Sequence, residues 1–225
     1  MLATTSEMMV QAAGAGGWAD SLGSLLTRGG YVMIPLLALS VVTIALIVER
    51  LIFWIAVNGK TSLRRLGRLN QALRTGDGAL VQGLVSDDQT PYGCVARRLV
   101  EEGANDAVAL EVVEDQRGRL DRYLVTMSTI ITAAPLLGIL GTVIGIIQSF
   151  ELLGGQSTLT DPTEVAGGIA AALLTTAFGL IVALVTLFPY MSFRGQSNRA
   201  MGRLEALVAA AQEGEQRRTG HGDTP

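Results

Sequence analysis

Three long apolar stretches, each bounded by charged residues, dominate the pattern of this chain. No charged residue occurs at 31–48, 124–150 or 165–193, and the first stretch resumes as apolar residues 51–57 after Glu49 and Arg50. A helix rises about 1.5 Å per residue, so each stretch is long enough to cross a hydrocarbon core of roughly 30 Å. Charges are costly at mid-membrane, which explains why they bracket the stretches. The pattern predicts an all-α membrane protein whose three transmembrane helices cover 31–57, 124–150 and 165–193.

The basic residues give this arrangement a direction. Residues 50–122 hold eleven Lys and Arg, residues 194–225 hold five, and residues 151–165 hold none. Because Lys and Arg concentrate on the cytoplasmic side of a membrane, the N-terminus is predicted outside and the C-terminus in the cytoplasm. The remaining segments are then an N-terminal periplasmic arm with an interfacial helix at Trp18, Leu22, Leu25 and Leu26 (1–30), a cytoplasmic helical region (58–123), a periplasmic turn (151–164) and a cytoplasmic C-terminal helix and tail (194–225).

The cytoplasmic segments also follow helical spacing. LRRLGRLNQALRTGD predicts a helix that stops at Gly76, because glycine readily adopts the left-handed conformation that ends helices. A long helix is predicted from about Cys94 to Arg122, and another over 199–212. Long helices that continue from the spans are expected to form a cytoplasmic bundle.

Composition excludes several classes of function. The chain is 49% hydrophobic and 16% charged, and its net charge of −3 argues against a nucleic-acid partner. Its single cysteine, Cys94, and single histidine, His221, suggest neither a metal site nor a cofactor site. The cytoplasmic region contains no nucleophile and base set, phosphate loop or metal-ligand cluster, so we do not expect an enzyme.

Small and hydroxylated residues form a stripe along each of the last two spans. The members are Ser128, Thr132, Pro135, Gly138, Thr142, Gly145 and Ser149 on one span, and Gly168, Ala172, Thr176, Gly179, Ala183 and Thr186 on the other, with Thr175 beside them. Spacing alone favours close packing over a pore, because small residues let helices approach and Gly141 and Gly145 have small-xxx-small spacing. Pro135 and Pro189 are predicted to kink their helices.

A pore through these spans would lack a titratable group. Threonine hydroxyls do not titrate near neutral pH, and the two stretches contain no acid or base. If protons move through this protein, a partner must therefore supply the carboxylate.

Two segments together carry a specific resemblance. APLLGILGTVIGIIQSF (134–150) and GGIAAALLTTAFGLIVAL (167–184) strongly resemble the paired helices of the MotA/TolQ/ExbB proton-channel family, and GGYVMIPLLALSVVTIALIVERL (29–51) looks like the first span of its ExbB/TolQ branch. The resemblance implies a pentameric ring around two copies of a single-span ExbD, TolR or MotB-like partner, whose aspartate carries the proton. It also implies work in the envelope, such as transport through a TonB-like protein.

The resemblance also assigns individual residues. Thr142 and Thr176 match the pore-facing threonines, with Thr175 an additional hydroxyl, and the close-packing glycines are Gly138, Gly141, Gly145 and Gly179. The chain departs from the pattern at Ala171, within GIAAAL, where many ExbB/TolQ members have glutamate in GIAEAL. The LLTT segment with Phe178 is nearer to the flagellar-stator version, whereas one span before the cytoplasmic region favours ExbB/TolQ.

Several alternatives stay open at this point. The chain could be a structural scaffold of an envelope complex or a flagellar-stator-like motor subunit, and a small-solute transporter is the least favoured because inverted repeats are lacking. The coupled ion is H⁺ or Na⁺, and the load is nutrient uptake, envelope maintenance or motility.

Overall fold

The structure, a computed structural model, describes residues 30–154 and 162–220. These residues form seven α-helices and no strand: α1 (Met33–Val57), α2 (Lys60–Thr75), α3 (Gly78–Val85), α4 (Pro91–Glu101), α5 (Asp106–Leu120), α6 (Leu124–Gly154) and α7 (Pro162–Gly220). The predicted interfacial helix, most of the 151–164 turn and His221 lie outside the described residues.

Three of these helices contain stretches long and apolar enough to cross a membrane. Each stretch, in α1, α6 and α7, has a mean hydropathy of 2.3. The prediction of an all-α protein with three long apolar helices is therefore confirmed. Helix α7 runs from Pro162 through the third apolar stretch to Gly220, and the predicted 199–212 helix is part of it.

The chain divides into two compact units. Among the described residues, the first comprises 30–44, 128–154 and 162–187, and the second comprises 45–127 and 188–220. Helices α1, α6 and α7 contribute residues to both.

Capped helix ends shape the second unit. Helix α2 ends at Gly76, whose φ of 72° is left-handed, as the sequence predicts, and the N–H groups of Gly76 and Asp77 donate to carbonyls of the last helical turn. The side chains of Asp77, Thr90 and Asn105 accept hydrogen bonds from the first turns of α3, α4 and α5. These short helices bury their apolar faces, and the core that results includes Leu69, Val81, Val95, Leu99, Val112, Leu204 and Leu207.

The predicted single helix from Cys94 to Arg122 is wrong. The structure ends α4 at Glu101 and begins α5 at Asp106. Gly103 has a φ of 88°, which breaks the right-handed path, and Asn105 then caps the next helix.

A buried arginine of α1 contacts the end of α5 in the second unit. The Arg50 side chain is 1% exposed, and its Nη1 donates to the carbonyl oxygens of Arg119 at 3.1 Å and Leu120 at 3.4 Å. A cation at the last carbonyls of a helix is favoured by the helix dipole. The guanidinium also lies 5.3 Å from the ring centroid of Tyr123, whose φ of 66° places it in the left-handed region between α5 and α6. Arg50, predicted near a membrane interface, thus acts as an internal cap.

Candidate functional site

Three glycines of α6 lie against α7 in the first unit. A Cβ added to Gly138 would lie 2.9 Å from the Cα of Thr176, and one added to Gly145 would lie 2.6 Å from the Cβ of Ala172. A Cβ at Gly141 would collide with the Thr175 side chain. Only glycine allows this approach, because any larger residue would separate the two helices.

Gly179 makes the reciprocal contact from α7. A Cβ at this position would meet the carbonyl oxygen of Ala134, and the Cα of Gly138 would be 3.2 Å away. The structure therefore brings all four sequence-predicted packing glycines to one contact between α6 and α7.

The three predicted ion-pathway threonines gather around this contact. Thr176 Oγ1 donates to the carbonyl of Gly138 at 2.8 Å and lies 3.5 Å from Thr142 Oγ1. Thr142 Oγ1 in turn donates to the carbonyl of Ile139 at 2.6 Å. Thr142 and Thr176 are both half-buried, so one side of their hydroxyl pair stays accessible from outside the chain.

Thr175 has a different environment from its neighbour. Its side chain is 1% exposed, and Oγ1 donates to the carbonyls of Ala172 at 2.7 Å and Gly138 at 3.2 Å. The hydroxyl is thus occupied by backbone acceptors inside the helix contact, an arrangement common for threonine in apolar helices. Its geometry suits packing better than contact with a moving ion.

Sequence reasoning missed a second hydroxyl pair. Thr43 Oγ1 of α1 lies 3.3 Å from Thr186 Oγ1 of α7, and both side chains are at most 1% exposed. Thr186 also donates to the carbonyl of Val182 at 2.6 Å. Thr43 shares its apolar run with one other Ser or Thr, Ser40, so the sequence held no periodic stripe that would have paired it.

Ala171 faces a cavity in the first unit. The cavity has a volume of about 260 Å³ and is lined in part by Gly141, Gly145, Gln148 and Ser149. The small side chain of Ala171 leaves space here, and none of the described residues that line the cavity is Asp or Glu. Position 171, where many ExbB/TolQ members have glutamate, therefore borders an open cavity that side-chain packing does not fill.

The two prolines lie within continuous helices. Pro135 is inside α6 and Pro189 is inside α7, so neither ends its helix. Their predicted kinks stay a prediction. Among the described residues, no group of three or more His, Cys, Asp or Glu side chains is arranged to hold a metal ion.

Comparison with known proteins gives a family-level match. The sequence profile of the MotA/TolQ/ExbB proton channel family matches residues 93–206. The putative biopolymer transport protein ExbB-like 3 of Synechocystis is 35% identical over 175 residues, which cover 74% of this chain and 81% of that protein. The putative biopolymer transport protein ExbB-like 1 of the same organism is 33% identical over 186 residues, which cover 72% of this chain and 66% of that protein.

A relative from a second envelope system matches a shorter part. The Tol-Pal system protein TolQ of Pseudomonas aeruginosa is 35% identical over 104 residues, which cover 46% of this chain and 44% of that protein. The chain thus spans most of the length of ExbB-like 3, but less than two thirds of the length of ExbB-like 1 and of TolQ.

Proposed function

This chain belongs to the MotA/TolQ/ExbB proton channel family, and from that membership we propose that it is the channel-forming subunit of an ion-driven motor in the bacterial inner membrane. The accessible hydroxyl pair of Thr142 and Thr176 is the observation that carries the proposal. These hydroxyls lie 3.5 Å apart beside a glycine-lined contact that fixes α6 against α7. A fixed pair of hydroxyls can replace part of an ion's hydration or orient water beside a carboxylate.

The carboxylate comes from a partner in this proposal. The sequence has no Asp, Glu, Lys, Arg or His between Leu124 and Phe150 or between Val165 and Phe193. Neutral threonines alone cannot bind and release a proton near neutral pH. Two copies of a single-span ExbD, TolR or MotB-like subunit, each bringing an aspartate, would complete the path.

The same membership supports a proposal for the assembly. We place the chain as a homo-pentamer, with its N-terminus outside, the 58–123 region and C-terminus in the cytoplasm, and long helices in a cytoplasmic bundle. In this proposal, ion flow moves the ring formed by this chain relative to the partner helices at its centre, and this movement performs work in the envelope. We favour transport coupled to a TonB-like protein, because two of the relatives named above are biopolymer transport proteins.

Ala171 supports the assignment of the carboxylate to the partner subunit. With alanine at this position, position 171 brings no acid to the cavity beside Gly145 and Ser149, and no other described lining residue does so. The partner's aspartate is then the one carboxylate on the path, whether the coupled ion is H⁺ or Na⁺.

A structural scaffold is the second candidate, and Thr175 favours it. Its hydroxyl is buried and satisfied within the glycine contact, which is what a purely packing role for the stripe requires. A scaffold would tolerate loss of the accessible hydroxyls.

Ion flux into reconstituted vesicles separates the two candidates. The samples are the chain alone, the chain with its single-span partner, and that pair carrying Thr142→Val and Thr176→Val. Because valine keeps the shape of threonine and removes the hydroxyl, we expect flux that requires the partner and falls at least ten-fold, which is about 1.4 kcal/mol of barrier, in the double variant.

The matched control removes two other membrane hydroxyls. Thr43→Val with Thr186→Val eliminates both members of the buried pair between α1 and α7, so no hydroxyl is left unpaired, and we expect flux to be retained. Flux from the chain alone, or full flux with Thr142→Val and Thr176→Val, contradicts the proposed function.

A further inference from the structure

Helix α2 carries a row of cations that has no partner among the described residues. Lys60, Arg64 and Arg68 follow at steps of four, so they lie along one helix face. All three side chains are exposed, and none makes a hydrogen bond or ion pair with the rest of the described chain. The opposite face, with Leu69 and Leu73, is buried in the core of the second unit. This row is called the basic face below.

A groove runs along the basic face. It has a volume of about 190 Å³ and is lined by Thr61, Arg64, Arg65 and Arg68. Arg65 pairs with one carboxylate, that of Asp88, which is 4% exposed and whose Oδ2 lies 3.6 Å from Nη1 of Arg65. One buried carboxylate cannot neutralise three guanidinium groups, so the groove is positive. Guanidinium groups and a hydroxyl are suited to phosphate oxygens, which accept charge-assisted hydrogen bonds.

The charges on α2 are unfavourable to the isolated helix. Its sixteen residues include one Lys and four Arg but no Asp or Glu, and no side chain caps its first turn. Cations at the start of a helix oppose its dipole, and like charges four residues apart repel. An anion bound to the basic face would relieve both effects.

The position of α2 in the chain indicates where that anion comes from. Lys60 comes three residues after Val57, the last residue of the apolar helix α1. Asn58, between them, donates through Nδ2 to Oε1 of Gln196 at 2.7 Å, which holds this end of α2 beside the part of α7 that carries the exposed Arg199. In the proposed topology this level is the cytoplasmic membrane surface. Long basic side chains can reach the headgroups from there.

We propose that the basic face of α2 binds the phosphate groups of anionic phospholipids in the cytoplasmic leaflet. The inference rests on the membrane topology of the proposed function but not on ion conduction. Binding anchors α2, and through its buried face the second unit, to the membrane surface. An acidic face of a second copy is the competing occupant, but direct continuity with an apolar helix favours lipid.

Lipid retention by the full-length chain tests this proposal. The chain is reconstituted in nanodiscs of phosphatidylcholine mixed with phosphatidylglycerol, and the lipids released with the protein are identified by native mass spectrometry. A cation near an anionic membrane surface contributes roughly five-fold in affinity. We expect the unmodified chain to retain phosphatidylglycerol preferentially, and Arg64→Gln with Arg68→Gln to reduce that preference five-fold or more.

The matched control removes one cation at the other end of α2 and one on α7. Arg74→Gln with Arg217→Gln also removes two cations, but both of these arginines pair with Glu213, and we expect the lipid preference to be unchanged. Hydrogen exchange of residues 60–68 is measured in parallel, and phosphatidylglycerol is expected to slow it in the unmodified chain and in this control, but not in the Arg64 and Arg68 variant.

Three results would overturn the proposal. These are no preference for phosphatidylglycerol in the unmodified chain, an equal preference in the Arg64 and Arg68 variant, or a changed copy number in that variant with lipid retention intact. The last result would assign the face to a second copy. Ion flux in vesicles of pure phosphatidylcholine tests the proposed function separately, so either idea can fail while the other stands.

Discussion

At the scale of single residues, adjacent threonines on α7 have different surroundings. Thr175 is buried with two backbone acceptors, whereas Thr176 is half-buried and 3.5 Å from Thr142. Successive helix positions differ by about 100°, so neighbours face different partners. The sequence identified all three hydroxyls, but the distinction depends on which face of α7 meets Gly138.

The glycine contact predicts opposite effects for one substitution at two positions of α7. Gly179→Ala places a Cβ against the carbonyl of Ala134, whereas a Cβ at Gly195 has no neighbour within 4 Å. We expect Gly179→Ala to destabilise the chain by about 1–3 kcal/mol. Gly195→Ala should stabilise it by about 0.5–1 kcal/mol, because alanine is the better helix former.

Thermal unfolding of the two variants in the same detergent checks this prediction. Equal stability of Gly179→Ala and Gly195→Ala would mean that α6 and α7 do not approach as closely as the structure indicates. Ion flux need not be measured, so the result bears on packing alone.

At the scale of helices, apolar stretches were predictable and helix breaks were less so. A bilayer demands about twenty apolar residues without charge, and no other common structure gives that pattern. The break between α4 and α5 was missed, because Glu101, Glu102 and Asn105 resemble an ordinary exposed helix face until the φ of Gly103 is known. Gly76 was found because an amphipathic, periodic helix stops directly before it.

Contacts between helices distant in sequence were beyond the sequence pattern. The sequence predicts that Arg50 lies near a membrane interface. It does not predict that Arg50 is 1% exposed and caps α5. The Thr43 and Thr186 pair joins residues 143 positions apart. Neither contact follows from helical periodicity, since each depends on how separate helices pack.

An ion network between α4 and α5 gives the second unit a pH-dependent contact. Arg98 lies 2.8 Å from Glu102, 2.9 Å from Glu111 and 3.0 Å from Asp115. The hydrogen bond from Arg98 lowers the pKa of Glu102, while Glu102 and Glu111 raise the pKa of Arg98, which stays charged throughout. A lowered carboxyl pKa adds stability above the unfolded value, near 4.3, and that stability is lost as the pH falls through the folded value.

Arg98→Gln should therefore lower the unfolding temperature slightly at neutral pH. The effect is small because the groups are exposed and screened by salt. We expect the difference from the unmodified chain to shrink below about pH 4 and in high salt, as measured by thermal melts across pH. Arg199→Gln, at an exposed cation that makes no ion pair with the described residues, is the control and should show no such dependence. A difference that grows on acidification would contradict the assigned contact.

At the scale of the whole molecule, most of the apolar surface lies outside the chain's own core. Only 17%, 22% and 28% of the residues in the three apolar stretches are buried. Lipid can cover an apolar face, but small residues and hydroxyls gain more from contact with other helices. The accessible side of Thr142 and Thr176 is therefore expected to face protein in the assembled complex.

The pentameric ring that the family resemblance implies gives an expected copy number. The three apolar helices of one copy contact one another and cannot enclose a path for ions. Identical copies related by rotation can do so, because they close into a ring when each copy presents two different faces to its neighbours. We expect native mass spectrometry of the chain in mild detergent to give a pentamer, and co-expression with the single-span partner to add two partner copies. Thr43→Val with Thr186→Val changes only the interior of one copy and should leave the mass unchanged. A monomer in every detergent that preserves the helical content would remove the shared path, and ion flux would then require another route.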